Sequence, residues 1–154
     1  MTELPSCRFF VEPDWIDSYG HMTAARYAEV FDRALQQLLE MYGLGAGYTQ
    51  EARCGLYTVE LNIKFIRELL ESDPIQIYMK IDSVDSKRIT TSFRMFQSKG
   101  NYLAAISEQN CIHVDLRSRR VIPFPEPIQA MLREVSSEHQ ESSSDAQSPD
   151  STGY

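Results

Sequence analysis

No stretch of this 154-residue chain approaches the roughly 18 to 20 consecutive apolar residues that a membrane-crossing helix needs, so no membrane partner is expected. The opening MTELPSCRFF has no basic start followed by an apolar core, and no signal peptide is expected. Cysteine is scarce: Cys7, Cys54 and Cys111 make an odd count with no CxxC pair. Such usage offers no disulfide framework and fits a reducing, cytoplasmic setting. HExxH and Cys/His clusters are missing, so no metal is expected. Positive charge is also short. Fifteen Lys and Arg stand against 22 Asp and Glu, for a net charge of −7 and a pI near 4.9. That balance argues against nucleic acid as the main partner. No internal repeat is visible.

What is present reads as one domain over residues 1–136, large enough for a real core, followed by a tail over 137–154. The tail is Ser, Glu, Gln and Asp with almost nothing apolar. It cannot bury enough surface to offset its ordering entropy, so disorder is expected there. Residues 8–13 predict a short strand with Phe9 and Val11 on one face, closed by Pro13. Residues 14–20 predict a polar turn. From about Thr23 or Ala24 to Tyr42, the residues Tyr27, Val30, Phe31, Ala34, Leu35, Leu38 and Met41 recur at helical spacing. Thr23 suits the N-cap, and Gly43, Gly45 and Gly47 form the stop signal.

After a loop through Arg53 the period becomes two. Tyr57, Val59, Leu61, Ile63 and Phe65 alternate with Thr58, Glu60, Asn62 and Lys64, as a half-buried strand does. Ile75, Ile77, Met79 and Ile81 predict a third strand, and Ile89, Thr91, Phe93 and Met95 a fourth. Residues 103–116 predict a fifth, apolar on both faces at its start. Turns fall at 72–74, 85–87 and 99–101. A basic turn over 117–120 and the prolines Pro123, Pro125 and Pro127 lead to a short helix over 128–135. The order is strand, long helix, four antiparallel strands, short helix. It predicts an α+β architecture, one antiparallel sheet of about five strands wrapped around one long central helix.

The chain is organised around residues 11–34. There one carboxylate, Asp17, lies in the turn just ahead of the start of the long helix. A helix start is electropositive, and its unsatisfied amides can hold a developing oxyanion. A carboxylate at that place can act as nucleophile or general base on an ester-like carbonyl; the residues leave both roles open. The amides near Gly20, His21 and Met22 are expected to polarise the carbonyl oxygen. Gly20 also suits a turn with positive φ. His21 is expected to anchor the loop, with general acid as its second role. His113, on a strand, reads as structural.

This arrangement resembles the hotdog fold and is similar to the 4-hydroxybenzoyl-CoA thioesterase family of acyl-CoA hydrolases. The resemblance covers roughly residues 7–117. It rests on Asp17-Ser18-Tyr19-Gly20-His21-Met22, followed by Tyr27 and Phe31, and on the Asp73-Pro74-Ile75 turn. Two departures stand out: Trp15 where many members carry a second acid, and Thr23 where many carry Asn. The string Pro13-Asp14-Trp15-Ile16-Asp17 with Gly20-His21-Met22-Thr23, together with Tyr57-Thr58-Val59-Glu60 and His113-Val114-Asp115, resembles a narrower group. These are the thioesterases that accompany, or are fused to, L-carnitine dehydrogenase, assigned to betainyl-CoA hydrolysis.

The resemblance implies an acyl-CoA thioesterase that needs no cofactor, coenzyme A being part of the substrate. Asp17, Gly20, His21 and Met22 would form the catalytic set. Trp15 and Tyr19, read as an exposed aromatic pair, would hold a quaternary ammonium by cation–π attraction, with Tyr57 as a third wall. Thr23 would line the substrate, and Glu60 and Asn62 would reach the site from a second subunit. The CoA phosphates call for cations, and Lys64, Arg67, Lys87, Arg88, Arg117, Arg119 and Arg120 are the candidates. Open sheet edges predict a homodimer or homotetramer. The alternative is a hotdog module that binds acyl groups or CoA without turnover. A hotdog dehydratase is a third reading, which Asp17 ahead of Gly20-His21 does not match.

Overall fold

The computed structural model describes residues 3–143. Its strands are β1 (Ser6–Phe10), β2 (Cys54–Phe65), β3 (Pro74–Val84), β4 (Arg88–Gln97), β5 (Tyr102–Asp115) and β6 (Arg120–Val121), and its helices are α1 (Ala24–Met41), α2 (Ala46–Ala52) and α3 (Glu126–Ser143). All strand pairings are antiparallel, in the order β1-β3-β4-β5-β2, with β6 beside β5. The inner row of the sheet holds Ile75, Ile77, Met79, Ile81, Ile89, Phe93 and Met95. It shares one core with Tyr27, Val30, Phe31, Ala34, Leu35 and Leu38 of α1. The buried stripe of α1 is the apolar face that its sequence spells out. This is the sheet-around-helix architecture of the hotdog fold. Leu103, Ala104 and Ala105 are all buried where β5 begins, as its two-sided apolar start requires.

α1 stops at a Schellman turn. Leu44 N–H donates to Leu39 O (2.8 Å), Gly43 N–H to Glu40 O (3.2 Å), and Gly43 takes φ of 74°. Several expectations shift. β1 runs over Ser6–Phe10, and Pro13 opens a 3-10 turn, Pro13–Trp15. Met41 is exposed. α2 and β6 occupy stretches read as loop and basic turn.

β2 departs furthest from its expected half-buried alternation. A bulge between Thr58 and Glu60 reverses the phase. Tyr57 therefore projects from the face away from α1, whereas Leu61, Ile63 and Phe65 project toward it. Directly opposite residues of an antiparallel pair share a face, and Leu61 is opposite Gln109, whose Nε2 donates to Phe31 O of α1 (3.3 Å). Beyond the bulge β2 is an edge strand with exposed apolar side chains: Val59 is 53% and Leu61 42% exposed.

The expected short helix over 128–135 and the disorder from 137 are corrected as far as Ser143, where α3 ends. The remainder of that tail, 144–154, lies outside the described residues. Residues 136–142 hold to the fold through polar groups. Ser136 Oγ donates to Ile81 O (3.1 Å), and Ile81 N–H donates to His139 Nδ1 (2.9 Å). Gln140 Nε2 donates to Asp82 O (2.9 Å). Ile81 adjoins a bulge of β3, and β1 pairs with β3 only as far as Tyr78. The side chains of α3 thus meet backbone groups that a neighbouring strand would otherwise pair.

Candidate active site

Residues 16–22 form a closed loop before α1. Ile16 and Met22 bridge as a short antiparallel pair. Asp17 is fastened three times: its N–H donates to His21 O (3.0 Å), its carbonyl accepts from Gly20 N–H (3.1 Å), and its Oδ1 accepts from Tyr19 N–H (2.8 Å). The last is an Asx turn. It fixes one carboxylate oxygen and directs the half-buried side chain. Gly20 has φ of 85°, and a Cβ built there would meet nothing within 4 Å. Glycine is needed for the turn, and the space above it is open.

Part of the expected amide set is already taken. Met22 N–H donates to Leu69 O (2.8 Å) and Thr23 N–H to Trp15 O (3.0 Å). Gly20, Met22 and Thr23 therefore have no N–H to spare. The open donors are His21 N–H, as expected, and further on those of Ala24 and Ala25, the first two residues of α1. None of the three meets an acceptor among the described residues, and the Thr23 side chain makes no cap bond. Both alanines are exposed. Alanine carries no chemical signal, so these donors are visible only once the helix start is fixed in space. Asp17 lies inside the loop that the Ile16–Met22 bridge closes, and the open amides of Ala24 and Ala25 follow that loop at the start of α1.

Trp15 is not half of an exposed pair. It is 2% exposed, and the Arg33 guanidinium lies 5.8 Å from its ring centroid. The 3-10 turn presses the indole into the core, and the face of the ring is already occupied by a cation. Tyr19 is 83% exposed and stacks on His21, with centroids 6.1 Å apart and 20° between planes. Tyr57 lies on the outer face, where its Oη accepts from Arg119 Nη1 (2.9 Å). Glu60 and Asn62 lie on that same outer face, opposite Asn110 and Glu108, with Asn110 Nδ2 donating to Glu60 Oε2 (2.7 Å). The register turns all three away from α1 of their own chain. The β2 residues on the α1 side are Thr58, Leu61, Ile63 and Phe65, and Phe65 meets Tyr27 edge-on at 5.0 Å.

His113 is buried and fully committed. Its Nδ1 donates to Ile122 O (3.0 Å), which leaves Nε2 to accept from Tyr48 Oη (2.7 Å). Burial pushes the Tyr48 hydroxyl up to about 12. A cavity of about 370 Å³ is lined by Ser83, Val84, Asp85, Arg88, Thr90 and Asn110 on the outer side; of the expected residues it includes the cation candidate Arg88 and not Asp17. Among the described residues, no three His, Cys, Asp or Glu converge as a metal site, and no helix is long and apolar enough to cross a membrane.

Lys87, Arg88, Arg117, Arg119 and Arg120 gather at one end of the sheet. Arg88 is opposite Ile112, Arg120 is opposite Asp115, and His113 N–H donates to Lys87 O. Arg67 lies apart, its guanidinium 4.0 Å from the Tyr102 ring centroid, and Lys64 projects outward opposite Ile106.

The profile of the thioesterase-like superfamily matches residues 11–132. The chain belongs to that superfamily, a hotdog protein with an acid before its central helix. Curated relatives sharpen the comparison. The L-carnitine dehydrogenase/betainyl-CoA thioesterase of Rhizobium meliloti is 30% identical over 84% of this chain, which spans 26% of that protein. The betainyl-CoA thioesterase of Pseudomonas aeruginosa is 27% identical over 84% of this chain and 81% of its own. The chain thus spans about a quarter of its fused relatives and most of the free-standing one. Among solved structures, a Staphylococcus aureus protein in complex with CoA superposes with a TM-score of 0.84 at 20% identity, over 100% of this chain and 96% of its own.

Proposed function

We propose that the protein is a thioesterase that hydrolyses a small acyl-CoA, betainyl-CoA foremost, to the free acid and CoA. What supports this reading is the Asp17 carboxylate, held by Tyr19 N–H in the loop just ahead of α1, whose first amides at Ala24 and Ala25 meet no acceptor among the described residues. The thioester carbonyl sits with its oxygen on those amides. Asp17 either takes a proton from an attacking water or attacks the carbonyl carbon itself, forming an anhydride that water then opens. In the first route the tetrahedral oxyanion collapses to the acid as the C–S bond breaks, and the departing thiolate takes the proton from Asp17; in the second the oxyanion collapses to the anhydride as the thiolate leaves, and water then opens the anhydride to the free acid and the Asp17 carboxylate. No cofactor enters either route.

The working unit is a homodimer, with the tetramer a pair of such dimers. The exposed edge of β2 needs a partner, and a two-fold axis normal to the sheet pairs two β2 edges antiparallel with both α1 helices on one face. Within one chain, Asp17 sits near the Phe65 end of β2, because Tyr27 of the neighbouring helix start meets Phe65. The basic cluster sits at the Cys54 end, about 36 Å away along the strand. Antiparallel pairing brings the basic end of the second copy alongside Asp17 of the first. The CoA phosphates then fall to Lys87, Arg88 and the 117–120 turn of the second chain, and the acyl group to Asp17 of the first. This supports a shared site and accounts for the absence of Asp17 from the cavity of the single chain. The three buried cysteines suit a cytoplasmic setting.

The test is free-thiol release from betainyl-CoA and from short-chain, long-chain and aromatic acyl-CoAs, with wild type and Asp17→Asn. Release by wild type and its loss in the variant support the reading. No release from any thioester, with tight CoA binding, would assign the chain as a binding module.

A further inference from the structure

We propose that Tyr19 and His21 form the acyl-side wall of the site and select a compact cationic acyl group. This rests on the thioesterase reading given above. The two rings flank Gly20, whose positive φ turns the chain so that residues 19 and 21 come to one side, stacked at 6.1 Å. The space over Gly20 is open, and Tyr19 is 83% exposed. Tyr19 also supplies the N–H that holds Asp17 Oδ1 at 2.8 Å. A group held against these rings is therefore beside the reacting carbonyl.

A quaternary ammonium has no N–H to donate. It can be held only by negative charge and by the faces of aromatic rings. Both are present. Residues 12–23 carry Glu12, Asp14 and Asp17 and contain no lysine or arginine. Asp14 has a partner in Arg26 at 3.8 Å. Among the described residues the Asp17 carboxylate is bonded only to backbone, with no side chain pairing its charge. Of the three aromatic candidates, Trp15 is buried under Arg33 and Tyr57 faces the other side of the sheet. The stacked pair is what remains on the side of Asp17. An anionic acyl group meets the same acids and is repelled.

The experiment compares kcat/KM for betainyl-CoA with that for its uncharged isostere, 3,3-dimethylbutyryl-CoA, in which carbon replaces the nitrogen. Wild type prefers the cationic thioester. Tyr19→Leu, which keeps bulk and removes the π face, lowers the ratio of the two values by on the order of tenfold. Tyr19→Phe keeps the ratio, and His21→Leu lowers it less than Tyr19→Leu does. A ratio unmoved by Tyr19→Leu, or both substrates losing equally, overturns the inference by reducing Tyr19 to a support for Asp17. Wild type that hydrolyses the isostere as well as betainyl-CoA overturns it and leaves the thioesterase reading intact. Wild type that hydrolyses neither, nor any other thioester, removes both.

Discussion

Proline at position 24 separates the two jobs of the α1 start, opening a helix and holding an oxyanion. Ala24 is the first helical residue, where the N–H has no intrahelical acceptor, so proline removes no bond of the fold. Thr23, the residue before it, already has φ of −70° and ψ of 146°, the extended conformation that a following proline demands. Stability should therefore hold within about 0.5 kcal/mol or rise slightly, since proline also narrows the unfolded ensemble. The missing donor is another matter. Loss of one oxyanion-hole donor costs about a hundred- to a thousandfold in kcat, about 2.7 to 4 kcal/mol of transition-state stabilisation. Thiol release under saturating substrate gives kcat, and a thermal melt gives stability. An Ala24→Pro protein with an unchanged melt and kcat within about threefold of wild type would refute the assignment of this amide to the carbonyl oxygen.

Other consequences can be checked separately. Val59→Lys places a charge on the bulged edge of β2, where the side chain is 53% exposed; light scattering should show a monomer and thiol release should fall with it, whereas an active monomer would contradict the shared site. Burial, with Lys80 nearby, lowers the pKa of His139, against a weaker opposing pull from Asp82. The folded state thus favours the neutral ring, and the stability it confers is present above about pH 6.5 and declines as the pH falls below that value. His139→Gln should flatten that part of the melting profile, and an unchanged slope would exclude the group. Trp15→Ala should cost about 3 to 5 kcal/mol in urea unfolding without altering the preference for cationic over neutral thioester; a changed preference would return Trp15 to the substrate.

The long helix and the middle strands were legible because their periodicity is that of the surfaces they bury. Tyr27 to Leu38 repeat at helical spacing, and Ile75 to Ile81 at spacing two. Gly43 marked the helix stop because its left-handed backbone is hard for other residues to adopt. Asp17 stands out as a candidate because an acid ahead of a helix start is a local pattern. The rest was hidden by features that leave the pattern untouched. The bulge at Val59 swaps faces within a strand whose alternation looks unbroken, so Tyr57, expected on the face of Leu61 and Ile63, projects from the opposite one, while Glu60 and Asn62 keep to the polar side. Trp15 sits in a single 3-10 turn too short to show a period. Residues 137–142 read as disordered because the groups that seat this end of α3, Ser136, His139 and Gln140, are polar and satisfy strand backbone rather than fill apolar space.

The central claim is that the carboxylate of residue 17 performs the chemistry. Asp17→Asn tests it with little disturbance, because the amide oxygen can still accept from Tyr19 N–H and keep the Asx turn closed. In that variant kcat for betainyl-CoA should fall by at least about a hundredfold while KM and the thermal melt hardly move. A variant that turns over within about threefold of wild type would contradict it.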